Sequence, residues 1–336
     1  MTHQPPTLLT RHKQFITLFG LMGLVLLMLL ISLSVGSTTY RPWQLWQNTD
    51  DALMARDIIW SLRLPRSLAA FAVGGLLAVA GALQQILLRN PLADPYILGT
   101  SGGASVGALL AMLLGTSAAL INGSAILGAS VAIILVFVLA GQDRSTQQVR
   151  LLLTGVAISA FCGAFSSLLL SLAPDGLLRG MIFWMLGDLS GAAWPLALTT
   201  LALLLLLLIP LMRDLNILAL GRQSAHALGI NTQRLHWMLY FFAAVATAIA
   251  VTTAGMIGFV GLVVPHALRL LIGQDQRLLI PACALGGGLF LLMADIAARI
   301  LIAPTQLPVG VVTAIVGAPI FIWLLNARAR GVHAHE

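Results

Sequence analysis

The chain has 336 residues, 59% of them hydrophobic and only 9% charged, with a mean hydropathy of +0.97. Soluble domains carry roughly 25% charged residues, so a water-soluble fold of this length could not cover its surface. The net charge of +7 is no sign of nucleic-acid binding, because the arginines lie between apolar runs instead of on one soluble face. Lipid solvates apolar side chains but leaves backbone groups to be satisfied within the protein, which permits helices or a closed barrel. Barrels need alternating polar and apolar residues. Unbroken runs such as LMGLVLLMLLISLSV and LALLLLLLIP exclude that pattern.

At the N-terminus, Arg11 and Lys13 precede the apolar run 15–35. The run is long enough to cross a bilayer and longer than the roughly 7–15-residue apolar core of a signal peptide. It is read as a retained first helix behind a short cytoplasmic N-terminus, 1–14. Further apolar segments follow at 62–88, 96–115, 118–140, 148–171, 192–212, 237–254, 256–273, 278–300 and 309–327, giving ten in all. Turn chemistry separates them: NPLADP after the second, GQDRS after the fourth, APDG after the fifth. No long polar insertion marks a second domain, so 1–336 reads as one transmembrane unit, an all-α polytopic fold.

Small residues suggest how the spans pack. Gly99, Gly103 and Gly107 recur every four residues in the third span, and Gly255, Gly258 and Gly261 every three around the start of the eighth. Each set is expected to let a neighbouring backbone approach closely. Gly286, Gly287 and Gly288 are consecutive in the ninth span. Cys162 and Cys283 lie inside apolar runs and read as small buried hydrophobes instead of a disulfide.

Ten spans put both termini on one face. If that face is cytoplasmic, twelve of the 18 basic residues fall inside and six outside, namely Arg41, Arg56, Arg63, Arg66, Arg179 and Arg299. The bias agrees with the retention of basic residues in short cytoplasmic loops.

Several chemistries are missing. The only lysine is Lys13, far from any glycine loop, so no P-loop exists to cradle ATP. The only glutamate is Glu336, which excludes a His-Glu-x-x-His metalloprotease. His266 is the only histidine within an expected span, and a lone intramembrane histidine is more often packed than catalytic. Asp295 and Arg299 lie four apart on one helix face near the outer end. A proton-driven carrier usually needs ionisable groups near the midplane, and none is found there. An external energy source is expected, with an ion-gradient-driven secondary transporter as the alternative and an intramembrane hydrolase behind it.

RLPR at 63–66, NPLADPYILGTSGGASVGA at 90–108, LALGRQSAHALGI at 218–230, GMIGFVGLVVPHALRLLIG at 255–273, ADIAAR at 294–299 and LPVGVVTAIVGAPIF at 307–321 together resemble the FecCD-type permeases. These are the membrane subunits of ABC importers for iron-siderophores, heme and vitamin B12, and the likeness is strongest to the vitamin B12 permeases. The resemblance implies a type II importer architecture with ten helices and a homodimer with the substrate path between its subunits. It further implies two cytoplasmic ATPase subunits that bind the ATP, a periplasmic binding protein, and no cofactor or metal of the chain's own. Gln306 stands where the family often has Glu, and Gln276 where a His is common.

Two segments carry the expected sites. Segment 213–236 mixes Arg213, Asp214, Arg222, His226 and Arg234 with apolar residues, and Gly221 and Gly229 bracket a short helix. A short helix with an apolar face lies on lipid or fits a partner's groove. The resemblance implies the groove of an ATPase, through Leu218, Gly221, Arg222, Ala225, Leu228, Gly229 and Ile230. At the outer helix ends, Arg63, Arg66 and Arg299 either snorkel to headgroups or form a positive rim that receives a binding protein's carboxylates.

Overall fold

The computed structural model describes residues 8–36, 50–140 and 147–333, and contains no strand among them. Fourteen α-helices appear in that set: α1 Leu8–Ser34, α2 Asp50–Ile58, α3 Leu64–Leu88, α4 Thr100–Leu113, α5 Ala118–Ala140, α6 Gln147–Ser171 and α7 Asp175–Met185 in the first half. The second half holds α8 Trp194–Leu208, α9 Met212–Leu220, α10 Arg222–Ala227, α11 Thr232–Ala254, α12 Val260–Ile272, α13 Gln276–Ile300 and α14 Val309–His333. Seven helical runs are long and apolar enough to cross a membrane, and three shorter apolar helices, Thr100–Leu113, Val260–Ile272 and Val309–Leu324, accompany them. These match the ten apolar segments of the sequence in order.

Three differences have local causes. The second span begins early: α2 runs through a π-helical turn, Ile59–Arg63, into α3, giving one continuous helix over Ala52–Leu88. Pro65 lies just after that π-helical turn, in the first residues of α3. The connection 172–191 contains α7, whose Arg179 guanidinium lies 5.5 Å from the Phe183 ring centroid. His236, expected just outside the seventh span, sits in the first turns of α11.

Helix α3 is the centre of the bundle. It packs against α8, α11, α12 and α13, and nearly every residue from Ser67 to Leu87 is buried. Lipid gives no hydrophobic drive between helices, so the approach must come from small residues and tight packing. A Cβ on Gly74 would overlap the Gly287 carbonyl oxygen, and one on Gly287 would overlap that of Gly74. A Cβ on Gly81 would likewise run into the Gly261 carbonyl. The backbones of α13 and α12 therefore lie directly against α3.

The expected glycine stripes are only partly stripes. Gly103 and Gly107 do face one neighbour: added Cβ atoms would meet the carbonyl oxygens of Gly128 and Ser124 on α5. Gly99 does not join them. It has φ +75, precedes α4, and faces Ile158 of α6. Gly255, Gly258 and Gly261 share no helix face, because the chain is non-helical over 255–258. Gly255 has φ +70 and ends α11 against the Trp184 carbonyl, Gly258 borders open space, and only Gly261 packs in a helix.

That non-helical stretch falls at the start of the apolar run 256–273 expected to span the membrane. The 13 residues of α12 cover about 20 Å at 1.5 Å per residue, less than the ~30 Å hydrocarbon core. Backbone exposed there must find partners inside the protein. The Tyr96 hydroxyl supplies them, donating to the Ile257 carbonyl (2.9 Å) and accepting from the Ile257 N–H (3.0 Å). Gln84 Nε2 donates to the Pro95 carbonyl and Gln85 Nε2 to that of Leu262, both at 3.3 Å. Two irregular segments, 90–99 and 255–259, thus meet beside α3.

Candidate functional site

At the face expected to be cytoplasmic, α8 continues through a 3-10 turn, Ile209–Leu211, into α9. Gly221 then takes φ +137 and ψ 151, a conformation open to glycine but not to residues with a Cβ, and the chain turns into α10. Gly229, at φ +78, closes α10, with its N–H on the His226 carbonyl at 3.0 Å. The bracketing glycines therefore supply the two turns that set α10 off from its neighbours. Asn231 caps α11 by accepting from the Arg234 N–H at 3.0 Å. Asn216 ties α9 to the bundle: its Nδ2 donates to Asp275 Oδ1 and its Oδ1 accepts from the Gln276 N–H, both at 2.8 Å.

The expected contact residues split into two groups. Leu218 and Ala225 are fully buried and join the core with Leu215, so they hold the helix pair in place. Gly221 is buried and Ile230 half-buried. The residues facing outward are Leu228, 64% exposed, and Leu220, 65% exposed. Leu220 was not among the expected contacts. It lies two residues after the buried Leu218, on the opposite side of α9. The side chain of Arg222 lies outside the described residues. A cavity of about 480 Å³ opens beside Leu228, lined also by Arg213, Asp214 and Arg234.

At the opposite face Arg63, Arg66 and Arg299 converge, but not as an exposed rim. Asp295, fully buried, lies between two of them. Arg66 Nε donates to Asp295 Oδ1 at 2.7 Å, and its Nη1 reaches Gln306 Oε1 at 2.5 Å and Ser190 Oγ at 3.3 Å. Arg299 Nε lies 3.1 Å from Asp295 Oδ2, a charge contact without hydrogen-bond alignment, since the same N–H points toward the Asp295 carbonyl at 3.4 Å.

The remaining guanidinium N–H groups close the end of α1. Arg299 Nη1 donates to the carbonyls of Ser32 (3.2 Å) and Val35 (3.1 Å), and Arg299 Nη2 donates to Ser32 Oγ at 2.6 Å. Arg63 Nη1 donates to the Leu33 carbonyl at 2.9 Å. The last carbonyls of a helix have no partner within it, and a cation there also suits the helix dipole. Arg63 and Arg299 are consequently 6% and 5% exposed, and Arg66 alone of the three lies nearer the surface. The sequence pattern shows the Asp295–Arg299 pair but gives no signal for the capping of α1, which joins positions far apart in the chain.

Comparison with known proteins agrees with this architecture. The family model described as the FecCD transport family matches residues 24–327. The vitamin B12 import system permease protein BtuC of Salmonella typhi is 40% identical over 320 residues, covering 93% of this chain and 95% of its own. That of Salmonella newport (strain SL254) matches equally, at 40% over 320 residues. Among solved structures, a metal-chelate type ABC transporter in an inward-facing conformation superposes with a TM-score of 0.82 at 32% identity. That match covers 92% of this chain and 98% of the other. PsaBC from Streptococcus pneumoniae, at 18% identity and a TM-score of 0.54, shares the fold.

Proposed function

Because this chain belongs to the FecCD transport family, whose members are permease subunits of ABC transporters in the inner membrane, we propose that it imports a corrinoid or similar metal chelate with ATP hydrolysed by a partner. One observation carries the reading. A chain without a P-loop presents a helix pair, α9–α10, whose Leu220 and Leu228 project into open space. An apolar pair held outward on a braced element fits a partner's groove, and the segment 213–236 is the ATPase contact of this proposal. The whole chain acts as one permease domain with both termini cytoplasmic, and ATP is its only nucleotide requirement, held by the partner.

A second copy of the chain completes the path. The apolar faces of α6 (Leu153, Val156, Phe161) and α14 (Ile315, Ile322, Trp323) are exposed in the single chain and are available to line or seal it. A periplasmic binding protein delivers the chelate at the end that carries Arg66. In this proposal Arg66 meets the binding protein's carboxylates, while Arg63 and Arg299 hold the surrounding framework and supply positive potential.

Proteoliposomes containing the chain, an ATPase subunit and a binding protein test the reading. Labelled cobalamin should accumulate only with hydrolysable ATP. Accumulation driven by a proton or sodium gradient with a non-hydrolysable nucleotide would establish secondary transport instead.

A further inference from the structure

A second polar site lies behind the coupling helices. A cavity of about 360 Å³ opens between the C-terminal end of α3, the last turns of α12 and the start of α13, with Ala219 and Leu220 of α9 as its wall. That volume lies within the roughly 300–1,000 Å³ typical of small-molecule pockets. Its polar lining comes from Gln85, Arg89, His266, Arg269, Gln274 and Gln276, and no Asp or Glu lines it among the described residues. Gln85 is 3% exposed and Gln276 2%, and the Oε1 atom of each has no hydrogen-bond partner. A buried amide oxygen left unsatisfied costs free energy unless a donor reaches it.

The geometry points to a binding site for a phosphate-type oxyanion carrying at least one O–H group. Two guanidiniums suit phosphate oxygens, which they bind in fork geometry. The two unsatisfied amide oxygens suit the hydroxyl donors of the same ligand. A monoprotonated inorganic phosphate has this chemistry, and so does the phosphoglycerol headgroup of an anionic lipid.

The site also touches the turn at Gly221. Arg89 caps α3 in the left-handed region, φ 48, which turns its side chain toward α9. A Cβ placed on Gly221 would lie 2.8 Å from Arg89 Nη2. An anion held by Arg89 therefore braces the Gly221 turn from behind. This bracing rests on α9–α10 being the ATPase contact. The binding itself does not.

The test uses the full chain, with and without its ATPase. Phosphate is titrated into delipidated protein and followed by ³¹P line broadening. A parallel set of nanodiscs compares phosphatidylglycerol with phosphatidylcholine. One saturable site per chain is expected, weakened about tenfold or more by Arg89→Gln and by Arg269→Gln. Arg89 is exposed, so its variant keeps the fold even if Arg269→Gln does not. Phosphate displaced only by phosphatidylglycerol discs identifies the lipid as the natural source, and retention in both discs identifies the free ion. Absence of saturable binding, or binding unchanged in Arg89→Gln, overturns the site. Loss of binding on ATPase assembly also overturns it, by showing that a partner side chain fills the cavity. Hydrogen exchange at 218–230 should slow on binding, and an unchanged rate removes the bracing while leaving the transport reading intact.

Discussion

Replacing Asp295 with Asn tests the outer arginine cluster most directly. The substitution keeps the shape and removes one charge. The carboxylate is fully buried and holds Arg66 Nε at 2.7 Å and Arg299 Nε at 3.1 Å. Without it, three guanidiniums remain with no counter-charge between Arg66 and Arg299. Breaking a buried ion pair from one side costs about 3–5 kcal/mol, whereas an exposed pair contributes about 0–1 kcal/mol. The side chains of Arg66 and Arg299 are 11% and 6% exposed, which places the cluster in the buried class. A loss of about 3–5 kcal/mol is therefore expected in reversible unfolding of the detergent-solubilised chain in mixed micelles with SDS. Adding Arg299→Met should recover part of that loss by removing the stranded cation, and the double-mutant cycle measures the coupling. A cost for Asp295→Asn below about 1 kcal/mol would refute the reasoning, because water or headgroups would then be screening the cluster.

The remaining expectations concern three other places. Leu220→Asp and Leu228→Asp should each weaken ATPase co-purification while leaving the melting curve unchanged, since both side chains are exposed. Unchanged co-purification in both would show that the helix pair merely lies on lipid. Gly81→Val should destabilise the bundle by at least about 1–3 kcal/mol, because its Cβ would overlap the Gly261 carbonyl. Normal stability would mean that α3 and α12 separate easily. Arg66→Glu should slow association with the binding protein, most strongly at low salt, because rim charges act mainly on encounter rate. A binding rate and salt slope equal to those of the parent would leave Arg66 a structural residue only.

The number and order of the membrane helices were legible because each span is a continuous apolar run ended by turn residues. The turns that bound the short helix α10 were legible too, since Gly221 and Gly229 stand apart from the apolar residues between and around them. The direction of each side chain was not. Leu218 turns inward and Leu220 outward because they stand two residues apart on α9, and Gly221 then sets the separate phase of α10, which brings Ala225 inward. Spacing alone also suggested one glycine stripe over 255–261, where the chain is in fact non-helical until α12 begins at Val260. Burial of Arg63 and Arg299 depends on where α1 ends in space. An arginine at a helix end reads identically whether it meets lipid, a partner or the open carbonyls of another helix.

The bond between Tyr96 and Ile257 constrains the order in which the protein can be built. The two residues are 161 positions apart. When α3 and α4 leave the ribosome, the backbone between them is already satisfied within the first half of the chain: the Pro95 carbonyl accepts from Gln84 Nε2 and the Tyr96 N–H donates to Asp94 Oδ1. The backbone that depends on the long-range meeting is that of Ile257, whose carbonyl and N–H both pair with the Tyr96 hydroxyl and which lipid could not satisfy. The second half of the chain therefore arrives to find its partner hydroxyl already in place. A Tyr96→Phe chain would leave the Ile257 carbonyl and N–H without that hydroxyl and expose the misassembled second half to the membrane's quality-control proteases.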